Sequence, residues 1–81
     1  MEERTEILEM LKERWYNYYD NYIFYRDSYE CPGSDRLTNK YCDLINELTH
    51  IIARVEEQPF AEVYKNLSTN FKIMKELRGE L

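Results

Sequence analysis

WYNYYDNYIFYRDSYE, residues 15–30, packs six tyrosines, one tryptophan and one phenylalanine into sixteen positions, and its period decides the fold. Tyrosine and tryptophan are mediocre helix formers and are common in strands, but the apolar positions here do not alternate. Leu8, Leu11, Trp15, Tyr18, Tyr22, Tyr25 and Tyr29 fall at alternating intervals of three and four, which is an unbroken stripe along one helical face. Glu6, Glu13, Asp20 and Asp27 recur every seventh residue on the opposite side. The pattern predicts a helix over about residues 2–30, roughly 43 Å long at ~1.5 Å per residue.

ECPGSD, residues 30–35, follows as the clearest turn. Pro32 fixes φ at a turn's second position, Gly33 supplies the positive φ that follows it, and Ser34 or Asp35 can cap the next helix. A second helix is expected over about 35–57, with Leu37, Tyr41, Leu44, Leu48, Ile51 and Val55 as its stripe. Ile45 and Ile52 widen that stripe, as a helix touching two neighbours needs. Gln58-Pro59 ends it, because a residue before proline avoids the helical region, and Pro59 suits the first turn of a third helix over about 59–78. Phe60, Val63, Tyr64, Leu67, Phe71, Met74 and Leu77 mark its apolar face, and Gly79 its stop.

Residues 1–81 therefore read as a single all-α domain, a three-helix antiparallel (up-down-up) bundle with a long N-terminal helix. The alternative is a kinked rod formed by the second and third helices, since Glu56-Glu57-Gln58-Pro59 has no glycine to ease a reversal. Such a hairpin has to dimerise to cover its faces. Loop-length statistics favour the bundle. A chain of 81 residues is only marginally able to bury a sufficient core alone, so self-association into a homodimer stays open.

Charge narrows the function. The net charge is −5, which opposes direct binding to nucleic-acid phosphates or anionic lipid, since both require Lys and Arg to displace counterions. No apolar run approaches the ~20 residues of a membrane span. MEERTEILEM lacks the basic start and apolar block of a signal peptide, and the chain reads as cytoplasmic. Cys31 and Cys42 lack metal-site or redox spacing and are expected as reduced thiols; with the lone His50 they make no metal site. No cofactor is implied. His50 falls off the apolar stripe, and the seven-residue spacing of the carboxylates does not converge two on one point. Nothing indicates an enzyme.

LTNKYCDLINEL, residues 37–48, resembles the second helix of the small aspartyl-phosphate phosphatases that act on sporulation response regulators. Their signature is a Ser-Gln-Glu-Leu-Asp run followed by Leu-Ile-Asn. In register, Thr38, Asn39, Lys40, Tyr41 and Cys42 occupy the signature, and Leu44, Ile45 and Asn46 match the tail. The resemblance covers a dozen residues and implies a divergent helical regulator of a bacterial signalling protein. Cys42 stands where the signature's acid belongs, so no phosphatase residue carries over.

The surface holds the stronger signal. Residues 1–35 contain nine acids against four bases, and the rest of the chain seven of each, so the whole net charge belongs to the first helix and its turn. On a wheel of ~100° per residue, Tyr16, Tyr19 and Ile23 form a shoulder beside the stripe, whereas Phe24 projects among Glu6, Glu13, Asp20 and Asp27. These eight residues are the candidate partner-binding site. Tyrosine suits such a surface because its ring is apolar and its hydroxyl tolerates water. The expected function is a non-enzymatic inhibitor or regulator that occludes a basic surface of a partner protein, such as one that binds nucleic acid. Size, acidity and absent chemistry fit a phage- or mobile-element-encoded antagonist. The alternative is a self-assembling structural protein with the tyrosine stripe as its homodimer seam.

Overall fold

The computed structural model describes residues 2–27 and 34–79. Among them are three helices and no strand: α1 (Glu2–Arg26), α2 (Ser34–Glu56) and α3 (Phe60–Leu77). They pack as a helical bundle measuring 46 × 28 × 21 Å. The helical period in residues 15–27 prevails over the strand preference of its aromatics because it gathers them onto one side of α1. α1 runs to Arg26, and the backbone N–H of Asp27 still donates to the Ile23 carbonyl at 3.0 Å; residues 28–30, the expected end of this helix, lie outside the described residues. Tyr29, Cys31 and the Pro32-Gly33 turn lie outside the described residues. α2 begins at Ser34 with Asp35 in its first turn, where a carboxylate suits the positive end of the helix dipole.

Trp15 is the residue around which the bundle closes. It is fully buried, stacks on Tyr19 at 4.7 Å, and meets the edges of Tyr16 at 5.8 Å and of Tyr64 on α3 at 5.7 Å. Its indole N–H donates to Thr49 Oγ1 on α2 at 2.8 Å, and that hydroxyl donates onward to the Ile45 carbonyl at 2.7 Å. A single side chain thus joins all three helices with its one polar group satisfied. Ile45, Leu48, Ile52, Ala53, Val63, Leu67 and Phe71 complete the core.

The remaining α1 aromatics divide between two neighbours. Tyr18 and Tyr25 meet Tyr41 of α2 at 6.0 and 5.8 Å. Tyr16 and Tyr19 meet Phe71 of α3 at 6.5 and 5.0 Å. Tyr16 and Tyr19 of the shoulder thus meet α3, Tyr18 and Tyr25 of the stripe meet α2, and Trp15 of the stripe reaches both. Lys12 Nζ pairs with Glu56 at 2.9 Å, and the Arg4 guanidinium donates to the Val55 carbonyl, tying the start of α1 to the end of α2.

The connection between α2 and α3 contains no glycine. Glu57 takes φ +56°. Its N–H donates to the Arg54 carbonyl at 3.3 Å, and that of Gln58 to the Ala53 carbonyl at 3.0 Å. These are the two bonds of a Schellman motif, with glutamate where glycine is usual. Pro59 sits one position before the helix, at φ −63° and ψ 147°, and Phe60 is the first helical residue. α3 packs against α1 through Tyr64 and Phe71. Gly79, at φ +71°, donates its N–H to the Glu76 carbonyl and ends α3 as expected.

Among the described residues, two members of the apolar stripes of α2 and α3 are exposed. Ile51 is 45% and Leu77 83% exposed. Because α2 serves both α1 and α3, its buried arc centres on Ile45, Leu48, Thr49 and Ile52, which leaves Ile51 at the edge. Leu77 lies in the last turn of α3, past Phe71, the last of its buried residues.

Candidate functional site

The eight candidate residues separate by the direction in which α1 presents them. Tyr16, Tyr19 and Ile23 are half-buried and pack against the core. Burial pushes the Tyr19 phenol above its ordinary pKa, opposed by the nearby Arg26 charge. Tyr64, opposite it on α3, is raised for the same main reason, reinforced by the phenols of Tyr19 and Tyr22. These tyrosines belong first to the fold.

Phe24, Glu6, Glu13, Asp20 and Asp27 remain on the outside. Phe24 is 62% exposed, with its ring edge-on to Tyr25 at 5.2 Å. Asp20 and Asp27 stand four residues before it and three after, the spacing that places side chains on one helical face. Asp27 accepts a hydrogen bond from Arg26 Nε at 3.2 Å, which raises the Arg26 pKa. Asp20 pairs across to α3 with Lys75 Nζ at 3.0 Å. Both carboxylates stay more than half exposed, and exposed pairs of this kind are worth only ~0–1 kcal/mol. A partner's guanidinium can therefore compete for either.

Two clefts flank the Asp20–Lys75 pair. One, of about 260 Å³, runs between Glu13, Tyr16 and Asn17 on α1 and Met74 and Arg78 on α3. The other, of about 340 Å³, lies between Tyr19 and Ile23 on α1 and Ser68, Phe71 and Lys72 on α3. The Lys75 ammonium lies 5.5 Å from the centre of the Phe71 ring, between the two. Sequence reasoning missed this contribution of α3. Lys72, Lys75 and Arg78 were visible as basic residues three apart, but nothing in their spacing placed them beside the acids of α1.

A third, more open cleft of about 560 Å³ lies at the α2–α3 turn, where exposed His50 rests on the Phe60 ring at 4.5 Å. In the phosphatase-like segment, Cys42 is a half-buried free thiol that accepts a long contact from Asn46 Nδ2 at 3.9 Å. Among the described residues no group of three or more His, Cys, Asp or Glu could hold a metal ion, and no helix is long and apolar enough to cross a membrane. Comparisons with protein-family models, with curated proteins and with solved structures give no match for this chain.

Proposed function

We propose that this chain is a non-enzymatic protein-binding module. It uses the outward face of α1 to cover a basic surface on a partner protein and so acts as an inhibitor or regulator. The observation that carries this reading is Phe24, a phenylalanine 62% exposed among carboxylates on the side of α1 away from the core. Covering such a ring is worth ~1.5–3 kcal/mol, and aromatic anchors of this kind dominate protein interfaces. Asp20 and Asp27 flank the anchor, and Glu13 and Glu6 continue the acidic line along the same face of α1, a charge that steers a basic partner towards it. A partner surface that binds nucleic acid has the required character, and the module would then exclude the nucleic acid by occupancy. Cytoplasmic action, and an origin in a phage or mobile element, accord with the small acidic chain.

The reading takes the molecule as an up-down-up bundle. The order of contacts supports opposed directions for α1 and α2, since Arg4 reaches Val55, Trp15 reaches Thr49 and Tyr25 reaches Tyr41. The test is capture of proteins from cells that encode the chain, comparing the native protein with Phe24→Ala/Asp20→Lys/Asp27→Lys. The triple variant is expected to lose the retained partner while keeping its circular dichroism. Unchanged capture sinks the proposal.

Self-assembly is the second reading, favoured by the exposed side chains of Ile7, Met10, Ile51 and Ile73. The tyrosine stripe serves poorly as its seam, because Trp15 and Tyr18 are already engaged within one chain. Light scattering across a dilution series separates the readings, since a monomer at every concentration removes this one.

A further inference from the structure

The protein is acidic, yet one cleft runs against that charge. The cleft beside Ile23 is lined by two lysines, Lys72 and Lys75, and by no carboxylate. Its volume of about 340 Å³ lies within the ~300–1,000 Å³ typical of small-molecule sites. Its floor is apolar and firmly held. Phe71 is buried, Tyr19 stands edge-on to it at 5.0 Å, and Trp15 stacks behind Tyr19 at 4.7 Å. The two ammonium groups are not equivalent. Lys75 is half-buried and pairs with Asp20 on the far side at 3.0 Å, so its charge is largely matched within the chain. Lys72 is exposed at the rim. The Ser68 hydroxyl donates to the Lys65 carbonyl at 3.1 Å, and of the other lining donors, the Tyr19 and Thr69 hydroxyls and the Lys72 ammonium, Lys72 is the charged one. An apolar floor with one net positive charge at its rim matches an apolar body carrying one negative charge.

We propose that this cleft binds a small apolar carboxylate. The hydrocarbon part lies on Tyr19, Ile23 and Phe71, and the carboxylate meets the Lys72 ammonium. The cleft lies on the α3 side of α1 and meets the outward face through the Lys75–Asp20 pair, but it does not involve Phe24, and the proposal stands without the partner-binding reading.

The test uses three probes with one ring system: naphthoate, naphthalenemethanol and naphthylmethylammonium. Each is titrated against the full chain while backbone amide shifts and Trp15 fluorescence are followed. Naphthoate is expected to bind about tenfold more tightly than the alcohol at low salt, with the margin shrinking as salt rises. Shifts should concentrate at Ile23, Ser68 and Lys72. Lys72→Glu, a change at an exposed position, is expected to invert the order so that the ammonium probe binds more tightly than naphthoate. Phe24→Ala should leave naphthoate binding unchanged, which keeps this test distinct from that of the partner face. Equal binding of all three probes, a carboxylate preference that survives Lys72→Glu, or shifts confined to His50 and Phe60 would each overturn the proposal.

Discussion

Trp15 has no exposed surface, so its indole N–H must find a partner inside the protein. Thr49 is that partner, and its hydroxyl accepts from the indole while donating to the Ile45 carbonyl. Thr49→Val keeps the shape and removes the acceptor. It is expected to cost ~1–3 kcal/mol, the price of an unsatisfied buried donor, read as a lower urea midpoint. Combining it with Trp15→Phe should cost less than the two single changes added together, because the orphaned donor is gone. Additive costs would mean that the hydrogen bond contributes nothing. Tyr19 and Tyr64 give a second residue-scale prediction. Their folded pKa values are raised by burial, so both are neutral, and their stabilising effect is complete, below the unfolded phenol value of about 10. As pH climbs through their folded pKa values the unfolded chain gives up its protons first, and stability falls. Denaturation midpoints should drop as pH rises above that value. Phenolate absorbance should show part of the tyrosine population titrating late.

At the scale of elements, the α2–α3 connection is the least conventional feature. A glutamate at φ +56° holds a left-handed conformation that costs a non-glycine residue roughly 1 kcal/mol or more. Glu57→Gly is expected to stabilise the fold by ~0.5–1 kcal/mol, after part of the gain is lost to the freer unfolded chain. A higher melting temperature checks this, and a lower one would mean that the Glu57 side chain outweighs its backbone strain. The same turn marks a limit of what the sequence states. Pro59 and Gly79 announced helix boundaries because their backbones restrict or permit specific φ values. Glu57 carries no such mark, since tertiary packing of α3 onto α1 selects its conformation. Ile51 illustrates the same limit. Periodicity identified an apolar face on α2 but could not say where, within that face, two neighbouring helices would centre it.

Over the whole molecule, the charge asymmetry of α1 was legible by counting, and the outward direction of Phe24 followed from its helical phase. The division of Tyr16, Tyr19 and Ile23 from Phe24 was legible only as a difference in angle. It took the position of α3 to turn the first three inward, against Phe71 and Tyr64. Pairing of Asp20 with Lys75 was invisible for the same reason, being a contact between residues far apart in the chain. What results is a core organised on Trp15, with the acids of α1 and the exposed Phe24 ring left outside. The central claim is that this ring meets another protein. A photo-crosslinking amino acid at position 24, compared with the same residue at exposed position 66 on α3, tests it in cells that encode the chain. The account predicts a discrete adduct with a protein bearing a basic surface from position 24 and none from position 66. No adduct from position 24, or the same products from both positions, would contradict it.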